Sequence, residues 1–155
     1  MSREGQQLLN DGRFEEALLV FSETQDLAAV FGRGVALHLL GRFDEAETCY
    51  QRVLASDPKH EEAITNLIAM NVERFDLVRT EAYARQLLSI RPDSPVALQA
   101  LVVVSVERRE YDAAAKSFAR LGSIAEPGRD GIEYRLSRQV ADRLKDLDGP
   151  PAHSH

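Results

Sequence analysis

The sequence predicts an all-α fold in which antiparallel helix pairs stack on one another and a last helix closes the C-terminal end. Three observations predict it. Gly-Arg-Phe-Glu-Glu-Ala at 12–17 returns as Gly-Arg-Phe-Asp-Glu-Ala at 41–46 and, more loosely, as Arg-Glu-Tyr-Asp-Ala-Ala at 109–114. The last two copies lie 68 residues apart, twice 34, and Asp57-Pro58 recurs as Arg91-Pro92 after 34 residues. Apolar residues recur with helical spacing from Leu8 to Leu147. A fixed period of this size means one helix-turn-helix unit repeated, because a single unit cannot bury its own apolar face.

The first unit, about 1–26, is incomplete. Leu8 and Leu9 precede Gly12, and Phe14, Ala17 and Phe21 follow it, but only 29 residues separate this turn from the next. Its second helix is expected to stop near Thr24, with Asp26 capping the following helix. The second unit, 27–60, predicts a helix over about 27–40 that places Val30, Gly34 and Leu37 on one side. Gly41 ends it by permitting a positive φ. A helix of about 43–56 follows with Ala46, Tyr50, Val53 and Leu54, and Asp57-Pro58 stops it, since the residue before proline disfavours the helical region.

The third unit, 61–94, keeps the 34-residue length but has Phe75-Asp76 where the turns of the first two units have Gly-Arg. Its helices are expected at about 60–74, through Ile64, Leu67, Ile68 and Asn71, and at about 77–90, through Leu77, Thr80, Ala84, Leu87 and Leu88. The fourth unit, 95–128, opens with Ser94 as N-cap and Pro95 in the first turn. Leu98, Leu101 and Val102 share one helix, and Tyr111, Ala114, Phe118 and Leu121 the next. After Gly128 the repeat stops. Ile132, Leu136, Val140, Leu144 and Leu147 form one stripe, which predicts a capping helix over about 129–147, and 149–155 reads as a frayed tail.

Composition narrows the function. The 155 residues suit one domain, taken as 1–148, and 44% hydrophobic with 28% charged residues is ordinary for a soluble globular chain. A net charge of −6 argues against a general nucleic-acid binder, which needs a basic face for phosphates. Cys49 is the only cysteine, so no intrachain disulfide forms. The first seven residues lack an apolar run, and the longest apolar stretch, Ala100–Val104, is too short to span a bilayer. The expectation is a cytoplasmic protein with neither nucleic acid nor membrane as partner.

The pattern resembles the tetratricopeptide repeat. Gly34, Ala46, Tyr50 and Pro58 match its small, small, aromatic and proline positions, and Leu98, Leu101, Tyr111, Ala114, Phe118 and Leu121 match in the fourth unit, although Glu126 stands where proline is expected. The resemblance covers about residues 1–127 and implies a right-handed superhelical α-solenoid. Ala46 and Ala114 then sit where paired helices cross, and Phe14, Phe43 and Tyr111 fill the space behind the turns. Arg33 departs from the pattern, which has a large apolar residue there. It either pairs with Glu16 or Glu23, or keeps its stem covered and its charge wet.

The resemblance also implies a concave face, built by the first helix of each unit, that binds a peptide or partner helix. Those positions are Phe31, Val35, His38 and Leu39 in the second unit, and Thr65, Asn66, Ala69, Val72 and Glu73 in the third. Val96, Gln99, Val103, Val106 and Glu107 follow in the fourth, and the first unit adds Gln6 and Leu9. So apolar a set suits an interaction surface. The competing expectation is that some of these residues pack within the stack or against the terminal helix. A variant of the family grips acidic tails of heat-shock chaperones with a carboxylate clamp of lysines, arginine and asparagines. Asn66 fits its middle asparagine, but Phe31 and Val35 hold the first pair of positions and Val96 and Ala100 the last, so the cations are missing.

Catalysis finds little support. His38 and His60 lack a second histidine at metal-ligand spacing, Cys49 lacks a neighbouring histidine, and Glu61-Glu62 opens a helix whose dipole favours carboxylates. Gly32 and Gly34 lie inside a helix pattern, not in a phosphate loop. The expectation is a non-enzymatic adaptor without metal or cofactor. Alternatives are a bacterial secretion-type chaperone for a partly unfolded client, and a self-assembling scaffold.

Overall fold

The computed structural model describes residues 2–122. The expected capping helix at 129–147 and the tail at 149–155 lie outside the described residues. Eight helices follow in chain order: α1 Arg3–Asn10, α2 Phe14–Phe21, α3 Leu27–Leu39, α4 Phe43–Ser56, α5 Glu61–Glu73, α6 Leu77–Ile90, α7 Pro95–Glu107 and α8 Tyr111–Gly122. No strand occurs among the described residues. The chain divides into two compact units, Met1–Arg79 and Thr80–His155, with the boundary inside α6.

The turn within each pair is built the same way four times. Arg13 N–H donates to Leu8 O at 2.9 Å and Gly12 N–H to Leu9 O at 3.1 Å. The same two bonds recur as Arg42 to Leu37 and Gly41 to His38, Asp76 to Asn71 and Phe75 to Val72, and Glu110 to Ser105 and Arg109 to Val106. This double bond satisfies the last carbonyls of a helix and requires a left-handed residue after its end. Gly12 and Gly41 supply it at φ 75° and 76°; Phe75 and Arg109 supply it at φ 60° although they carry side chains. The degraded turn of the third unit therefore keeps the geometry and carries backbone strain instead.

Helix starts repeat as well. Asp26, His60 and Ser94, spaced by 34, each accept a bond from the backbone N–H three residues on: Ala29 at 2.9 Å, Ala63 at 3.1 Å and Ala97 at 3.3 Å. His60, isolated in the sequence, is thus an N-cap, with its ring Nδ1 as acceptor. The second helix of the first unit ends at Phe21, earlier than Thr24. The Ser22 hydroxyl donates to Leu18 O at 2.7 Å, and the Thr24 hydroxyl donates to Asp26, so local side-chain bonds replace further helical ones.

In the compact unit Met1–Arg79, α1 to α5 pack each on the next, and both α1 and α5 also touch α3. The partners in a pair run antiparallel: His38 near the end of α3 meets Phe43 at the start of α4 with ring centroids 5.9 Å apart. Ala17 and Ala46 are fully buried at the crossings. Gly34 lets the Tyr50 ring rest on the α3 backbone, since a Cβ there would stand 2.7 Å from Cε1. Phe21 uses Gly5 and Gly32 in the same way from α2. In the second unit α7 packs on α8 through Val102 and the fully buried Ala114, with Val103, Val106 and Leu121 against them. Tyr111 is 43% exposed, unlike the half-buried Phe14 and Phe43, and so does not fill its turn as they do.

Candidate functional site: the face of the first helices

Within the compact unit Met1–Arg79, α3 and α5 run side by side in the same direction. Phe31 on α3 meets the ring of His60, the cap of α5, at 5.0 Å, and His38 Nε2 lies 3.2 Å from Glu73 Oε2 at their other ends. Between these two contacts lie Val35, Thr65, Asn66, Ala69 and Val72, all half-buried, while Leu39 is 50% exposed and Glu73 exposed. The structure therefore brings together the predicted residues of the second and third repeats on one pair of helices.

Phe31 is a correction to that set. It is only 8% exposed, wedged between His60 and Tyr50, whose ring centroid lies 5.9 Å away. It supports the face from beneath. Asn66 is the polar side chain facing the Tyr50 hydroxyl, although no hydrogen bond of normal geometry forms there. Burial raises the Tyr50 pKa and Asn66 lowers it, with burial winning, so the phenol stays protonated at any physiological pH.

In the fourth repeat Val96, Val103, Val106 and Glu107 are half-buried, but Gln99 has no exposed surface. Gln99 is the second correction, since a fully covered side chain cannot meet a partner directly. The cause is α7 itself, which buries eight of its 13 residues and so is covered on most sides, not along one stripe. The run Ala100–Val104 carried that signal in the sequence.

Three polar arrangements were missed in the sequence. Glu47, buried on α4, accepts from Arg74 Nη2 at 2.6 Å, and Arg74 also reaches Asp44 at 2.9 Å and Asn71 Oδ1 at 2.9 Å. Arg108 pairs with Glu81 in the second unit. Arg33 pairs with neither Glu16, which takes Arg13, nor Glu23; its Nη2 donates to Gln25 Oε1 at 3.1 Å. The spacing of Glu47 to Glu81 and of Arg74 to Arg108, 34 residues each, was the readable signal for the first two.

Burial raises the Cys49 pKa and outweighs Arg33 and Arg52, which pull it down, leaving the weakly nucleophilic thiol form at neutral pH. Among the described residues no three His, Cys, Asp or Glu side chains are placed to hold a metal ion. No described helix is long and apolar enough to cross a membrane.

The comparisons with known proteins agree with the helical pattern. A model of the tetratricopeptide repeat matches residues 28–60. A tetratricopeptide repeat-containing protein, trd-1 of Caenorhabditis elegans, is 26% identical over 141 residues, covering 88% of this chain and 18% of its own length. The chain thus spans under a fifth of that relative. A tetratricopeptide repeat protein from Parabacteroides merdae superposes with a TM-score of 0.73 at 21% identity, over 93% of this chain and 57% of that one. The first TPR of Spaghetti (RPAP3), bound to the HSP90 peptide SRMEEVD, superposes with a TM-score of 0.64 at 15% identity, over 79% of this chain and 94% of that one.

Proposed function

We propose, from the premise that this chain is a tetratricopeptide-repeat protein, that it is a non-catalytic adaptor holding a peptide or helix of another protein against α3 and α5. The observation that carries this reading is the exposed apolar surface on that face. Leu39 is half in solvent, and Val35, Ala69 and Val72 are each partly so, although a folded monomer gains nothing by leaving them wet. The His38–Glu73 pair closes one end and gives the strip a polar rim.

A domain of similar fold is bound to an HSP90 peptide, which supports a peptide as the kind of occupant. The occupant here differs in chemistry. An acidic tail needs cations, and this chain places Phe31, Val35, Val96 and Ala100 at those positions. The face suits a segment that presents aliphatic side chains.

Affinity capture from native cell extract tests the reading, with Leu39→Glu beside the parent chain. Leu39 is exposed enough for the substitution to spare the fold. The expected result is a partner retained by the parent and lost by the variant at unchanged melting temperature. Equal retention by both removes the face from the function.

A further inference from the structure

Arg33 stands where the next two repeats place a buried leucine: Leu67, fully buried, and Leu101, 9% exposed, follow it at intervals of 34. The arginine is half-buried, with its Nε covered and its Nη2 bonded at the surface. Its charge is not matched by a carboxylate. Among the described residues Arg33 makes no ion pair; its Nη2 donates to the neutral amide oxygen of Gln25, and its buried Nε has no hydrogen-bond partner. Arg52, from α4, aims its own Nη2 at the same Gln25 oxygen at 3.5 Å and also makes no ion pair among the described residues. Two guanidiniums from different helices thus converge on one neutral acceptor, in a chain whose net charge is −6.

Arg33 also lines a cleft with Ser22, Thr48, Cys49 and the Arg42–Glu45 pair, together with Leu18 and Leu37. Glu45, the carboxylate that lines it, is already neutralised by both bonds from Arg42. Asp26, next to Gln25, is occupied by the Ala29 N–H and the Thr24 hydroxyl.

We propose that Arg33 and Arg52 form a phosphate-binding site beside Gln25, phosphate oxygens replacing the Gln25 amide oxygen as their acceptor, separate from the face formed by α3 and α5. Phosphate fits better than a carboxylate. The two forks approach from different helices, and a tetrahedral group has oxygens for both, whereas the two coplanar oxygens of a carboxylate satisfy one fork.

The test uses the full 155-residue chain and inorganic phosphate, titrated against potassium chloride of equal ionic strength. Melting temperature and the Arg33 Nε–Hε resonance are the readouts. The site predicts a saturable rise in melting temperature specific to phosphate, together with a shift of that resonance. Arg33→Leu, which restores the usual residue of the repeat, is expected to melt higher than the parent and to lose the phosphate response. Arg52→Gln, on the exposed side, is expected to fold normally and to weaken binding about tenfold or more, as the loss of one charge-assisted contact implies. A phosphoserine tripeptide forms the second arm. Tighter binding than inorganic phosphate assigns the site to a phosphorylated protein segment, and equal or weaker binding assigns it to the free ion. Identical behaviour in phosphate and chloride overturns the proposal, as does a phosphate response retained by Arg33→Leu. An Arg33→Leu chain that fails to fold leaves Arg52→Gln and the Arg33 resonance to decide, and an unmoved resonance overturns the proposal too.

Discussion

Glu47 and Arg74 form a largely buried ion pair at 2.6 Å that ties α4 to the end of α5, their side chains 7% and 16% exposed. Glu81 and Arg108 occupy the same two positions one period later, on α6 and at the end of α7, but are 28% and 32% exposed. The same bond thus links the second helix of one repeat to the first helix of the next in both units.

Burial decides what each pair contributes. Arg74→Ala strips a covered carboxylate of its main partner, leaving it Arg79 at 3.4 Å, and is expected to cost about 2–4 kcal/mol. Arg108→Ala opens a wetter pair and is expected to cost about 0–1 kcal/mol. Urea denaturation of the two variants measures both, and equal losses would contradict the assignment.

Relief of turn strain gives the opposite sign. Phe75 is 61% exposed, so its ring contributes little packing to offset the left-handed backbone it must adopt. Phe75→Gly and Arg109→Gly are each expected to stabilise by about 0.5–1 kcal/mol, the strain removed exceeding the chain entropy added. Gly41→Ala is expected to destabilise by about 1 kcal/mol, from backbone strain alone, because nothing lies within 4 Å of its new Cβ. Thermal denaturation reads all three.

Close packing makes a further prediction. Gly34→Ala drives a methyl to 2.7 Å from the fully buried Tyr50 ring and is expected to cost about 1–3 kcal/mol. Ala46→Leu overpacks the same crossing by a comparable amount. An unchanged midpoint in either variant would mean that α3 and α4 do not meet where the structure has them.

The acid limb of the stability curve follows from carboxylates held below their ordinary range. Asp26 is lowered by the Thr24 hydroxyl and then the Ala29 N–H, and Asp76 by the Arg79 N–H and then its guanidinium. For Glu81 burial works upward, but bonds from Arg85 and Arg108 bring it down. A group depressed in the folded state stabilises above its unfolded pKa, and that contribution disappears as pH falls through the folded value. Stability is therefore expected to hold at neutral pH and to decline from about pH 5 downward. Asp26→Ala is expected to flatten the decline, as urea midpoints across pH 3–6 would show; a curve as steep as the parent's would remove Asp26 from the account.

Much of the fold was legible because the 34-residue period acts on several signals at once. Ala46 and Ala114 mark crossings, Gly41 marks a turn, and Asp26 and Ser94 mark starts, each by ordinary local chemistry. Phe75 hid its turn, since a left-handed phenylalanine has no propensity to announce it. The face was less legible. Helical spacing places Phe31 and Gln99 on the same side as Val35 and Val103, and only tertiary packing shows that the first is wedged between two rings and the second fully covered. Arg33 was visible as a misfit, but its meeting with Gln25 and Arg52 depends on three segments folding together.

Amide chemical-shift mapping with the captured partner segment tests the central claim most directly. Perturbed amides are expected to cluster at Val35, Leu39, Asn66, Ala69 and Val72, on the shared face of α3 and α5. Perturbations gathered instead on α2 and α4, with those five residues unmoved, would contradict it.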